Sequence, residues 1–271
     1  MFQPRLGVSL HTIATELTEP AISAVARSRI RTLELFPRIF EGDDAPRKVD
    51  MVKVMCRERG IEAASVHVPF GGPHDISVLD EAARGRALKT FEEAVPLAIQ
   101  FDAPLFVVHA SAEPIEADHR SRRLDQARKS LAQIVARCAA LKKRVAVELL
   151  PRTCLGNSVE ELLLLLDGLD PQIAGVCLDT NHFMDRYATL PGAVRSLGDR
   201  LFALHLSDYD GVDEKHQTPG TGVIDWKAFL RALRDIAYAG PFDYECKLEG
   251  DTVEERINRL ETNFDWLCSL L

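Results

Sequence analysis

Eight short β-rich runs alternate with longer amphipathic ones along the whole chain, and this alternation restricts the fold more than any other feature. The strand candidates are "RLGVSL" (5–10), "RTLELF" (31–36), "IEAASVHV" (61–68), "APLFVVHA" (103–110), "RVAVEL" (144–149), "IAGVCLD" (173–179), "LFALHLS" (201–207) and "PFDYEC" (241–246). Between them lie stretches such as "DEAARGRALKTFEEAVPLAI" and "RRLDQARKSLAQIVARCAALKK", whose apolar residues recur at helical spacing with charges on the other face. Repeated βα units imply a parallel sheet clad in helices. Eight of them in 271 residues match an α/β chain folded as a single (β/α)8 TIM barrel, and no Pro/Gly/Ser linker divides residues 1–271 into separate domains. A doubly wound sheet is the alternative, but the first βα loop, "SLHTIATELTEP", has no GxGxxG.

Six consecutive strand candidates end in a possible metal ligand: His67, His109, Glu148, Asp179, His205 and Glu245. Asp and Glu together number 41 and His 8 among 271 residues. Six such ends in a row have odds of roughly one in a thousand against average usage. Residues two apart on a strand share a face. The positions two before the ligands are Ser65, Val107, Ala146, Cys177, Ala203 and Asp243, mostly small, and the positions between are Val66, Val108, Val147, Leu178, Leu204 and Tyr244. The larger set is expected to face the helices and the ligand set the barrel interior. Strand C-termini share one rim in a barrel, so the six side chains converge on one pocket. Carboxylates gathered in a partly dry pocket either raise a pKa or bind a cation. A divalent metal satisfies them, and mixed carboxylate and imidazole ligands suit Mn, Co, Zn or Mg.

Loops supply further candidates. The segment "HLSDYDGVDEKHQTPGTGVIDW" after the seventh strand carries Asp208, Glu214 and His216, and His216 could reach over the pocket. His11, Glu34 and His74 also fall near strand ends, as weaker candidates, and Arg152 and Lys247 follow Glu148 and Glu245 closely enough to steer an anion. Trp226 and Trp266 lie in helical stretches and are read as packing residues. A net charge of -8 argues against a broad nucleic-acid surface. No run approaches the roughly 18 apolar residues of a membrane span. The opening "MFQPRLGVSLHTIATEL" lacks a basic region followed by an apolar core, and the six cysteines are scattered without a CxxC pair. A soluble cytoplasmic protein with reduced thiols is expected.

The segments "GVCLDTNHF", "LHLSD", "HQTPGTGVIDW", "VAVEL" and "DYEC" together resemble the xylose isomerase-like barrel superfamily, which contains sugar and sugar-phosphate isomerases and epimerases as well as endonuclease IV. The resemblance covers nearly the whole chain, in order. It implies, on the epimerase side, one metal held by Glu148, Asp179, His205 and Glu245, with Glu148 and Glu245 as the acid/base pair and His182 touching substrate. On the endonuclease IV side it implies three zinc ions, with His67, His109, His182 and His216 as additional ligands. Two departures stand out: the seventh loop has Glu214-Lys-His216 where the nuclease has Asp-x-His, and Leu149 follows Glu148 where an asparagine is frequent.

The favoured expectation is a divalent-metal-dependent sugar or sugar-phosphate isomerase or epimerase, working by proton transfer through a metal-stabilised enediolate. Its small-molecule sugar would be held by His182, His216, His67 and His109. Neither nucleic acid nor membrane is expected as a partner, and the family resemblance allows a homo-oligomer. The alternatives are a zinc-dependent abasic-site nuclease and an inosose dehydratase-type lyase on the same scaffold.

Overall fold

The computed structural model describes residues 2–271. Eight parallel strands close into one barrel in sequence order: β1 (Leu6–Ser9), β2 (Thr32–Leu35), β3 (Glu62–His67), β4 (Leu105–Val108), β5 (Arg144–Glu148), β6 (Ala174–Asp179), β7 (Leu201–Leu206) and β8 (Phe242–Tyr244). Each falls inside the segment that the sequence pattern marked out. The helices that follow the strands are α1 (Glu19–Arg27), α2 (Ala45–Arg59), α3 (Glu81–Gln100), α4 (Arg120–Ala140), α5 (Val159–Leu165), α6 (Leu190–Leu197), α7 (Trp226–Asp235) and α8 (Val253–Ser269). No helix among the described residues is long and apolar enough to cross a membrane.

Local chemistry sets where these helices begin. The side chains of Thr18, Asp80, Ser158 and Asp225 accept hydrogen bonds from the backbone N–H three residues on, and Thr252 and Glu255 form a reciprocal capping box at α8. Each cap satisfies a donor that the first helical turn leaves without a partner.

The period-two reading of the strands holds. Val66, Val108, Val147, Leu178, Leu204 and Tyr244 lie in the large apolar layer between sheet and helices, whereas Val107, Ala146, Cys177 and Ala203 form a small separate cluster with Leu105 inside the barrel. Small inward residues leave room above them for the ionisable side chains. Phe202, near the N-terminal end of β7, has the Arg144 guanidinium 4.6 Å from its ring centroid. The pairing of β6 with β7 shifts register between Val176 and Cys177. Gly175 is required beside it, since a Cβ there would lie 2.5 Å from the Phe202 ring.

Candidate metal centre

The strand ends deliver their side chains to one rim. His67, Glu148 and Asp179 close β3, β5 and β6, His205 is the penultimate residue of β7, and His109 and Glu245 directly follow β4 and β8. Asp179 and His205 are register partners on adjacent strands. Ligand atoms of Glu148, Asp179, His205 and Glu245 all lie within 4.8 Å of one another. At the rim, two further groups meet the same limit and share members with the first: His67, His109 and Glu148, and Asp179, His182 and His216. All eight residues singled out as site residues are therefore brought together.

Glu148 is the hub. Its Oε2 lies 3.0 Å from His67 Nε2 and 2.9 Å from His109 Nε2, while Oε1 lies 3.3 Å from His205 Nδ1. The same His205 Nδ1 is 2.7 Å from Glu245 Oε2. Glu148 is almost fully enclosed, with 2 % of its side chain exposed against 15 % for Glu245. Burial raises the pKa of a carboxyl group, but His109 and His205 outweigh it and hold Glu148 well below the usual range. Glu245 is likewise held down against burial by His205. His67, His182, His205 and His216 respond in the opposite sense, whereas burial lowers His109. His67 donates from Nδ1 to the Val68 carbonyl at 3.0 Å, and although burial opposes its charge, Glu148 and Glu34 push it up to about 9.

Asp179 is the exception. Its Oδ1 accepts backbone N–H bonds from Asn181 and His182 at 2.8 and 3.2 Å, but Oδ2 is buried with no partner, and the nearest imidazole nitrogens, on His182 and His216, stand 3.9 and 4.0 Å away. Burial accordingly raises its pKa. An orphaned carboxylate oxygen beside two more carboxylates and an imidazole fits a divalent cation, which would replace the missing partner.

The loop after β7 is built to bring His216 here. Asp208, buried at its base, accepts from the backbone N–H groups of Tyr209, Gly220 and Ile224 at 3.0, 2.7 and 3.2 Å and from Trp226 Nε1 at 2.8 Å. Asp208 thus organises the loop and stays out of the pocket. His216 sits in a left-handed backbone conformation (φ 49°), which costs a non-glycine residue of order 1–3 kcal/mol and persists where surroundings enforce it. Glu214 Oε1 lies 3.1 Å from His216 Nε2 and 3.4 Å from His182 Nε2, and His182 Nδ1 donates to the Leu149 carbonyl at 2.8 Å. Despite burial, Asp179 and Glu214 push His182 up to about 10.

A cavity of about 310 Å³ opens above these groups. Its first-half wall is aromatic: Phe70 stacks on His109 with ring centroids 4.2 Å apart and lies 5.2 Å from His67, and Phe36 lies 5.8 Å from His67. Sequence pattern did not single out Phe70; the signal available was an aromatic residue three positions beyond His67, just before Gly71 and Gly72. Arg152 is the only Arg or Lys lining the cavity among the described residues, and it is taken up by Glu113, Asp213 and Glu214 at 3.0, 3.0 and 2.7 Å. His11 reaches the edge, 3.7 Å from Glu245. His74 does not take part; it bonds Thr90 at 2.9 Å. Glu34, only a weaker candidate by sequence, lies buried beneath the rim, with one oxygen 3.2 Å from His205 Nε2.

Residues 22–270 match the sequence profile of the xylose isomerase-like TIM barrel family. The chain belongs to this family. It is 24% identical over 259 residues to an uncharacterised protein of Methanocaldococcus jannaschii, a match covering 93% of this chain and 87% of the relative. A ketose 3-epimerase of Arthrobacter globiformis is 24% identical over 202 residues, covering 73% and 68% of the two chains. The crystal structure of a D-tagatose 3-epimerase-like protein superposes with a TM-score of 0.83 at 22% identity, covering 98% of each chain. The barrel's homologues thus include sugar epimerases.

Proposed function

We propose that the protein is a divalent-metal-dependent epimerase or isomerase of an unphosphorylated sugar. The observation that carries this reading is the convergence of Glu148, Asp179, His205 and Glu245 within 4.8 Å around the orphaned Asp179 Oδ2, in a chain whose homologues include a ketose 3-epimerase. A cation held by these four residues would supply a Lewis acid beside a ketose carbonyl and its neighbouring hydroxyl, where negative charge develops as a C–H proton leaves. Glu148, kept ionised by its imidazoles, accepts that proton. Glu245, more open to solvent, delivers one to the opposite face or shuttles it between oxygens. His182 and His216 hold substrate oxygens on one side, and His67 and His109 keep Glu148 oriented on the other. Arg152 is already bound to three carboxylates, so among the described residues the cavity offers no free Arg or Lys for a phosphate.

A screen of ketoses, inososes and their phosphates with Mn, Co, Mg and Zn, followed by deuterium incorporation from heavy water, tests this reading. Glu148→Gln and Glu245→Gln are each expected to slow exchange by about 10²–10⁴-fold, the range for loss of a general acid or base. Unchanged exchange in either variant would overturn its assigned role.

One observation favours a second reading. The three ligand groups are linked through Glu148 and Asp179, the arrangement a trinuclear zinc nuclease of the endonuclease IV type would use. Against it, Glu113, Asp213 and Glu214 crowd the mouth with acid where a phosphate backbone would have to lie. Three zinc ions per chain together with cleavage of abasic DNA would establish it in place of the sugar reading.

A further inference from the structure

Below the rim, on the inner face of the barrel, Thr32, Glu34 and Asp243 come together on two strands that flank β1. Gly7 of β1 pairs in register with Thr32 on one side and with Asp243 on the other, and Asp243 pairs in turn with His205. Gly7 leaves the space between them open: a Cβ there would lie 2.5 Å from Thr32 Oγ1 and 3.0 Å from Asp243 Oδ1. Glu34 is one inward step above Thr32.

Seven buried side-chain atoms among the described residues lack a hydrogen-bond partner, and four of them are here: Thr32 Oγ1, both oxygens of Asp243, and Glu34 Oε1, which lies 3.2 Å from His205 Nε2 but out of line for a hydrogen bond. Such atoms are rare because an unmet buried polar group is costly, so four in one place require a common partner. Oxygens of Glu34 and Asp243 and a nitrogen of His205 lie within 4.8 Å of one another. The other Glu34 oxygen accepts from Ser65 Oγ at 2.8 Å. Among the described residues no Arg or Lys is paired with either carboxylate; Arg5, at the lower end, is bound to Glu62 at 2.8 Å and Arg144 lies over Phe202. A cavity of about 680 Å³ opens from the N-terminal end of the barrel and reaches Glu34, Ser65, His205 and Asp243, giving water and ions a route that does not cross the rim.

We propose that Thr32, Glu34 and Asp243 form a second cation site beneath the rim centre, entered from the N-terminal cavity. The free atoms are all oxygens, two carboxylates and a hydroxyl, and the cavity can complete the shell with water. That set selects a hard divalent ion of the Mg or Mn kind over a thiophilic one, and two carboxylates match its charge. His205 stands between the two sites, with Nδ1 toward Glu148 and Glu245 and Nε2 toward Glu34. Occupancy below would fix that ring from the second nitrogen, as outer partners of metal-bound imidazoles do.

The test is the number of Mn ions bound by the metal-stripped full chain, read from the free-ion electron paramagnetic resonance signal and from metal analysis after dialysis. Wild type is expected to bind one ion more per chain than Asp243→Asn, whatever number the rim holds. Thr32→Val, which changes neither size nor charge, is expected to weaken that same ion at least tenfold. Asp179→Asn removes rim binding and leaves the lower ion in place. Failure of the rim reading shows as an unchanged count in Asp179→Asn alone, so the two outcomes are separable. The proposal falls if folded Asp243→Asn binds the wild-type number, the result that a proton shared between Glu34 and Asp243 would give. Should Asp243→Asn fail to fold, wild-type Mn affinity at every site in Thr32→Val overturns it.

Discussion

The two halves of the barrel rim carry different chemistry. The strands β5 to β8 contribute Glu148, Asp179, His205 and Glu245, all the carboxylates of the four-residue centre, whereas β1 to β4 and their loops contribute rings: His11, Phe36, His67, Phe70 and His109. A cation is drawn to the carboxylate half, while the ring half presents flat ring faces. Sugars have the same duality, with hydroxyl edges that suit polar ligands and C–H faces that pack on rings. The asymmetry orients a substrate across the cavity, with reacting oxygens toward β5 to β8.

The largest effect is expected where the carboxylate half is broken. Asp179→Ala removes the carboxylate whose Oδ2 has no protein partner, so the loss falls directly on cation binding. Losing an outer partner of a ligand costs about 10–100-fold in metal affinity, and loss of a direct ligand should exceed that. Calorimetric titration with Mn measures it, and wild-type affinity would remove Asp179 from the centre. Turnover should fall with affinity and should not recover at saturating substrate.

His109→Ala tests whether the ring half also holds metal. His109 Nε2 lies 2.9 Å from Glu148 Oε2, so its removal leaves one carboxylate oxygen with His67 alone. Under the single-cation reading the rim metal count is unchanged and turnover falls about 10–100-fold, as for an outer partner. A drop in bound zinc per chain would instead assign His109 to a metal and shift the balance toward the trinuclear centre.

How far this division could be read in advance depended on the range of the interactions. The strand ends were legible because alternation has a period of two: once Asp179 faces inward, Cys177 must as well, and the interior cluster obeys that rule. Convergence of the ligands followed from barrel closure. Contacts that cross the barrel were not legible. Glu34 looked like a minor strand-end acid because its partner His205 lies 171 residues on, and Asp243 stood out only as the charged member of a mostly small inward set. Arg152 had the position of an anion binder, but its three carboxylates come from loops after β4 and β7, whose folding no local pattern reveals. Asp208 was one of several loop candidates after β7; its role in the loop depends on donors from Gly220, Ile224 and Trp226 further along.

Phe70→Ala probes the ring half at its most exposed point and carries the smallest expected effect. Phe70 is 47% exposed, so truncation leaves little cavity and should not affect folding. Its stacking on His109 at 4.2 Å marks it as a wall of the pocket rather than a member of the core. An aromatic contact is worth about 0.5–1.5 kcal/mol beyond area burial, which translates to a rise in KM of roughly 2- to 12-fold. The proton-transfer groups are untouched, so kcat should stay near wild type, and Phe70→Tyr, which keeps the ring, should restore KM. A fall in kcat with KM unchanged would mean that Phe70 acts through His109 on Glu148. In that event the two halves of the rim form one connected unit, and the contrast between a cation-binding side and a substrate-packing side would have to be redrawn.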